Sequence, residues 1–554
     1  MTTETVQLTT GAEAVLAALA DCGVSYLFAN AGTDFPPVIE ALARLGPARV
    51  PCPVTVPHET AAVGMAHGYW LVTGKPQAVM VHVNVGLANA AMGVINAASD
   101  DVPVIVMSGR TPITEKGRNG SRMTPIQYGQ EMYDQASIVR DVVKFTYEMR
   151  YPEQGDSLVK RAVSLAGTAP EGPVYLSLPR EPLAEPLPRD FAPAPVPARP
   201  TKTLPDATAI ATLAEWLAQA KNPVVLCQRG DVDGQLSRAL SAFAALAGVA
   251  VCEPFSIRNV LASDDPALIG YDPGIALKHA DLVVVLDSAI PWIAALHDPA
   301  ADVRIAHIGP DPQFRRMPVR GYHCDLAIVA DPVNAIEALA RATSPSPPRH
   351  ARAKPATPTP GAAGNTMSPE WVSACVSDIM DDSAVAFTEL GLLPGAMRLK
   401  GANRLFSNVH AGGLGWAMPA ALGAQLADRD RLVIAAMGDG SYIFANPVAC
   451  HQIAEALDLP ILTIIKNNAM WNAVRRSVVR GYPDGAAARL NEMPLTSLQP
   501  SPDFCGIARA SRAHAERVEH GADLPAALAR AVEVIRTERR QVLLDLRVAA
   551  TDYF

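Results

Sequence analysis

At roughly 100–200 residues per domain, the chain's 554 residues are enough for three domains, and 49% hydrophobic against 18% charged residues leave material for large buried cores. A net charge of −8 with no long run of either sign excludes a dedicated nucleic-acid binder, which would carry a basic stripe. No stretch approaches the ~18–20 uninterrupted apolar residues of a membrane span, residues 1–10 lack the pattern of a secretory signal, and eight scattered cysteines form no CxxC. The expectation is a cytoplasmic protein with reduced thiols, not a disulfide frame or a zinc site.

Two proline-dense stretches, 180–205 and 343–364, read as extended linkers, because proline at that density sits in neither helices nor central strands. They divide the chain into expected domains at 1–185, 200–343 and 365–554. In the first, residues 26–30 read as a strand, with Gly32-Thr33-Asp34 at the strand-to-helix corner. The segment PVTVPHETAAVGMAHGYW, 53–70, ends a strand at His58-Glu59 and starts a helix. A glutamate there is an ordinary partner for the helix dipole, and Thr33 is equally a helix cap. Residues 77–83 and 102–107 read as buried strands among helices at 60–72 and 88–98. His82 ends the first of these strands, Gly86 follows in a turn, and Gln130 sits in QEMYDQ, where a surface helix is the plain reading. A lone histidine on an apolar strand is ordinarily a satisfied core residue.

The middle piece repeats the alternation, with strands at 223–227, 282–286 and 303–308. In the last piece, 431–437 and 460–465 are strands around a helix. Continuous apolar strands alternating with helices imply parallel sheets covered on both faces, so the expected fold is α/β with three doubly wound domains.

The most informative segment is RLVIAAMGDGSYIFANPVACHQIAEALDLPILTIIKNNAMW, 431–471. A strand ends before Gly438-Asp439-Gly440-Ser441, and a second strand ends at Asn467-Asn468. Asp439 and Asn468 are 468 − 439 = 29 positions apart, yet a parallel βαβ unit delivers both to one sheet edge. A carboxylate and an amide carbonyl are hard oxygen donors suited to Mg²⁺, which bridges readily to phosphate oxygens. The glycines permit close backbone approach, and Ser441 lies where a helix start can receive an anion. GDGS alone is also a good turn and cap sequence. Neither GxGxxG nor GxxxxGK[ST] accompanies it, which weakens a nucleotide-binding reading.

GDG followed by a helix and a strand to NN resembles the signature of thiamine-diphosphate enzymes. AGGLGWAMPAALGAQLADRDRLVIAAMGDGS, 411–441, is similar to benzoylformate decarboxylase and, more loosely, to acetolactate synthases. The resemblance spans essentially the whole chain, in the order pyrimidine-binding, middle and diphosphate-binding domain. It implies that Asp439, Asn468 and the main-chain carbonyl of Met470 ligate Mg²⁺, with Gly438, Gly440 and Ser441 at the diphosphate. Leu414 would be the bulky residue that holds the cofactor bent. Glu59 would be the acid beside the aminopyrimidine, favouring the imino tautomer whose nitrogen takes the thiazolium C2 proton. Apolar neighbours such as Ala61, Ala62 and Val63 would favour a shared proton there.

By the same resemblance Thr33 is a substrate-contacting hydroxyl, His82 a proton-transfer group and Gln130 a residue near the cofactor. His297 would be a second active-site histidine. Ala473 and Ser477 would line the substrate pocket, where a small polar Ser477 puts an aryl substrate in doubt. The middle stretch VVVLDSAIPWIAALHDPAADV lacks the arginine- and aspartate-rich flavin motif of acetolactate synthases. The expected function is thiamine-diphosphate- and Mg²⁺-dependent, benzoylformate-decarboxylase-like non-oxidative decarboxylation of a 2-oxo acid, in a homodimer or homotetramer with active sites between subunits. An acetolactate-synthase-like carboligase and a 2-hydroxyacyl-CoA lyase are the alternatives.

Overall fold

The computed structural model describes residues 7–349 and 367–551; the second expected linker lies outside the described residues from position 350 onward. Three six-stranded sheets form, with every strand pair parallel. The first contains β1 Tyr26–Ala29, β2 Cys52–Thr55, β3 Gln77–Val81, β4 Val104–Arg110, β5 Thr146–Glu148 and β6 Val174–Pro179, in the order β2-β1-β3-β4-β6-β5. The second contains β7 Pro223–Cys227, β8 Ala250–Cys252, β9 Leu268–Gly270, β10 Leu282–Leu286, β11 Arg304–Gly309 and β12 Leu326–Val329, in the order β12-β11-β10-β7-β8-β9. The third contains β13 Val385–Glu389, β14 Leu405–Ser407, β15 Val433–Gly438, β16 Leu462–Asn467, β17 His514–Val518 and β18 Val542–Arg547, in the order β14-β13-β15-β16-β18-β17. The first and third sheets therefore share one topology. Every residue of β3 and β10 is buried, as strands covered on both faces must be.

The helices that bear on function are α1 Glu59–Thr73, α2 Val83–Ser99, α3 Arg180–Ala184, α4 Ala417–Ala427, α5 Asp439–Phe444, α6 Pro447–Ala456 and α7 Asn472–Gly481. Packing groups the chain into two units. One comprises Met1–Pro200, His410–Arg429 and Ala445–Leu457; the other comprises Thr201–Val409, Asp430–Phe444 and Asp458–Phe554. Thus α4 and α6 pack with the first sheet although they follow it by more than two hundred positions. Small residues permit this: a Cβ on Gly68 of α1 would stand 1.9 Å from the Ala420 carbonyl oxygen of α4, so the two backbones are in contact. None of the described helices is long and apolar enough to cross a membrane.

The structure departs from the sequence reading in four places. Gly86 is not in a turn: β3 ends at Val81 and α2 already starts at Val83. The first linker begins with a helix, α3, whose Leu183 is buried and whose Glu181 accepts the N–H groups of Ile113 and Thr114. Proline is tolerated at its third residue because first-turn N–H groups have no intrahelical partner. The single helix expected after GDGS is two, α5 and α6, broken where Asn446 adopts a left-handed conformation before Pro447. Gln130 caps the C-terminal end of a short, largely exposed helix, Ile126–Gly129, but is itself buried.

Candidate active site

Open parallel sheets bind ligands beyond the C-terminal ends of their strands, where the strand order reverses. In the first sheet the reversal lies between β1 and β3, which brings the loop after β1 beside His82 after β3. His82 Nδ1 lies 2.6 Å from Asp34 Oδ1, and Asp34 Oδ2 accepts the N–H of Val83 at 3.2 Å. On its other side, His82 Nε2 is 3.3 Å from the amide nitrogen of Gln130. The hydrogen bond to Asp34 raises the histidine's pKa against the opposing effect of burial, and the charges of Asp34 and Glu59 add to the rise.

Glu59 is the first residue of α1 and is buried. Its Oε2 accepts from the Asn89 side-chain amide of α2 at 3.2 Å. The residue after Gln130, Glu131, has a carboxylate that accepts from Arg110 at 2.7 Å, from Arg122 at 2.7 Å and from the Thr111 hydroxyl. Thr33 is exposed and is not a helix cap; the N-cap of the following helix is Phe35. Leu414 is half-buried in the same unit. The Asn96 side chain fixes the backbone just before it, donating to Gly413 O at 2.9 Å and accepting Gly413 N–H at 3.2 Å.

The third sheet reverses between β13 and β15, and Asp439 follows β15 directly. Its carboxylate is buried and accepts from Gly440 N–H at 2.8 Å and from Ala469 N–H at 2.6 Å. The two segments separated in sequence therefore meet: Asp439 touches the peptide next to Asn468. The Asn468 side-chain oxygen Oδ1 accepts Met470 N–H at 3.1 Å, closing a loop in which Ala469 has φ 55°. Trp471 N–H donates to Thr496 O at 2.7 Å, and the Trp471 ring lies over Gly440, where a Cβ would stand 2.1 Å from it. Ser441 is buried in α5, and Gly438 ends β15.

Burial raises the Asp439 pKa, with backbone N–H groups only partly opposing it. A carboxylate held away from water in this way is stabilised by an adjacent cation. Among the described residues no group of three or more His, Cys, Asp or Glu could hold a metal. The Asp439 carboxylate, the Asn468 side-chain oxygen and the Met470 main-chain carbonyl, the donors the sequence suggested, are hard oxygens of the kind that Mg²⁺ takes.

Ala473 and Ser477 lie on α7, none of whose residues is buried. His297 ends a short helix and accepts Ile293 N–H at 3.4 Å, beside Gly274. In the middle sheet the order reverses between β7 and β10. There Arg320 donates to Ala289 O at 2.8 Å and to Ser288 O at 3.2 Å, and its guanidinium stacks on Phe314 and Tyr322. Asp34, Asn89, Asn96 and Glu131 were not legible as site residues, because each acts by gripping a backbone or side chain remote in sequence.

The first and third sheets share one topology, and each carries a polar cluster at its reversal point. Comparison with known families identifies the class. Residues 9–138 match the N-terminal TPP-binding domain of thiamine pyrophosphate enzymes, 210–339 their central domain and 392–546 their C-terminal TPP-binding domain. The chain belongs to the thiamine-diphosphate-dependent enzymes that include the benzoylformate decarboxylases and acetolactate synthases, whose members are carbon–carbon lyases and carboligases.

Benzoylformate decarboxylase of Pseudomonas aeruginosa is 27% identical over 473 residues, covering 82% of this chain and 84% of that protein. A probable 2-ketoarginine decarboxylase of the same organism is 26% identical over 525 residues, covering 90% and 88%. Acetolactate synthase isozyme 3 large subunit of Escherichia coli is 26% identical over 584 residues, covering 99% and 96%. Among solved structures, the 4-hydroxybenzoylformate decarboxylase of Rhodococcus jostii superposes with a TM-score of 0.80 at 23% identity, covering 98% of this chain and 100% of that one. This confirms the three-domain α/β fold.

Proposed function

We propose that the chain is a non-oxidative decarboxylase of a 2-oxo acid that uses thiamine diphosphate with Mg²⁺. The observation that carries this reading is the proton-handling cluster at the reversal of the first sheet, where His82 sits between Asp34 and Gln130 and under the charge of Glu59. Non-oxidative decarboxylation replaces CO₂ by a proton, so it needs a donor held beside the reacting carbon. His82, with its elevated pKa, is suited to that role.

Bound thiamine diphosphate would supply the electron sink for the pair released as CO₂ leaves. Asp439, Asn468 and the Met470 carbonyl would hold Mg²⁺, and Gly438, Gly440 and Ser441 would receive the diphosphate. Leu414 would support the cofactor's bend, and Glu59 would share a proton with its pyrimidine. Thr33, exposed beside Asp34, would contact the substrate carboxylate. Ala473 and Ser477 on α7 favour a small or polar substituent over an aryl ring. In this reading Glu59 of one chain serves the cofactor of another, so the working form is a homodimer or homotetramer.

The acetolactate-synthase-type carboligase remains the second reading, supported by similarity over 99% of this chain to the Escherichia coli enzyme. Incubation with thiamine diphosphate, Mg²⁺ and a panel of 2-oxo acids, measuring CO₂ and ketol separately, tests both. CO₂ with aldehyde is the expected result. Ketol as the main product assigns the second reading, and neither product from any acid overturns both.

A further inference from the structure

The junction between β3 and α2 is strained. Val83 has φ 34°, a left-handed conformation that is a true outlier for a β-branched residue. Such a conformation persists only where its surroundings enforce it. Here the enforcing group is Asp34, one carboxylate oxygen of which takes the Val83 N–H while the other takes His82 Nδ1. The carboxylate is enclosed: Asp34 is 3% exposed, and a Cβ on Gly109 at the end of β4 would stand 1.7 Å from its Oδ2. Three segments of the first sheet, after β1, at β3 and on β4, thus combine to hold one carboxylate against one imidazole.

We propose that Asp34 is a positioning residue that selects the tautomer of His82, keeping a proton on Nδ1 and leaving Nε2 as the atom that exchanges protons with substrate. This rests on the reading of His82 as the proton donor. A carboxylate oxygen only accepts hydrogen bonds, so the nitrogen facing Asp34 is the protonated one. In the neutral ring, Nε2 presents its lone pair to the amide N–H of Gln130. In the charged ring, Nε2 carries a second proton. Transfer of that proton to an acceptor returns the neutral Nδ1–H form that Asp34 holds.

Gln130 can follow this change. Its Oε1 is buried and has no hydrogen-bond partner among the described residues, so turning the amide over gives up no bond at the oxygen and offers it to Nε2–H. The charges acting on the ring, Asp34 from the loop after β1 and Glu59 from the start of α1, are both negative. Both favour the charged form.

The test is nitrogen-15 and carbon-13 NMR of the full-length chain with labelled histidine, with and without thiamine diphosphate and Mg²⁺; the His82 signal is assigned by its loss in His82→Gln. In the wild-type protein the neutral His82 ring should be the Nδ1–H tautomer. In Asp34→Asn, which keeps an oxygen for Val83 N–H, proton affinity should fall at least ~10-fold, the scale of losing an opposite charge at this distance. The signals of the other histidines, His307 among them, should stay in place.

An Nε2–H tautomer in the wild-type ring overturns the proposal without any variant, and so does an unchanged titration midpoint in folded Asp34→Asn. Because the readout is protonation, not turnover, a chain that decarboxylates no 2-oxo acid would sink the proposed function and leave this result standing.

Discussion

Glu253 follows β8 and is 1% exposed. Its two carboxylate oxygens accept Val260 N–H at 3.0 Å and Leu261 N–H at 2.6 Å. This clips the segment that reaches the third sheet's side of the unit, where Asn259 N–H donates to Leu405 O at 3.1 Å. Burial pushes the Glu253 carboxyl from the usual 4.5 up to about 7, the two N–H donors oppose this, and Asp265 adds to it. Between those values the folded chain binds more protons than the unfolded one, so stability falls as pH rises through the window. The span corresponds to about 3 kcal/mol, fully incurred above pH ~8 and absent below pH ~4.5.

Glu253→Gln imitates the protonated acid, with one good acceptor oxygen and no charge. It should therefore match the wild-type protein within about 1 kcal/mol at pH 5 and exceed its stability by about 3 kcal/mol at pH 8.5. In a thermal scan this is a rise of roughly 6–12 °C in the transition that contains the middle domain. Urea unfolding and thermal scans of both proteins from pH 5 to 8.5 make the comparison. A Glu253→Gln protein less stable than the wild type at pH 8.5, or a difference that does not change with pH, would show that the two N–H donors outweigh burial and that the argument has the wrong sign.

Asp439→Ala should leave the fold intact and weaken thiamine-diphosphate binding by at least ~10²-fold; calorimetry showing unchanged binding removes Asp439 from the metal site. Glu59→Gln should still bind the cofactor, because the proposed diphosphate anchor at Asp439 lies in another part of the chain. It should slow exchange of the thiazolium C2 proton by ~10²–10⁴-fold, and NMR exchange at the wild-type rate would place the acid elsewhere. Light scattering at micromolar concentration should find at least a dimer; an active monomer contradicts the shared-site reading.

Much of this architecture was readable along the chain. Runs such as QAVMV and LVVVL declare strands buried on both faces because an uninterrupted apolar strand has no water-facing side. The meeting of Asp439 with the Asn468–Ala469 peptide followed from βαβ geometry alone, since two adjacent parallel strands end on one edge. Local backbone preferences and apolar patterning act over a few residues, and these features need nothing longer.

Tertiary structure decided the rest. No pattern in the sequence indicates that α4 lies against α1, because the signal is a glycine, Gly68, whose missing side chain matters only once Ala420 is beside it. Nor does the sequence show that Asp34 grips His82 and Val83, or that Glu131 collects Arg110 and Arg122. Residues that work by holding distant partners have no local signature. A strand must look like a strand wherever it is, but an aspartate becomes a clasp only when the fold sets an imidazole and a strained N–H within reach of its two oxygens.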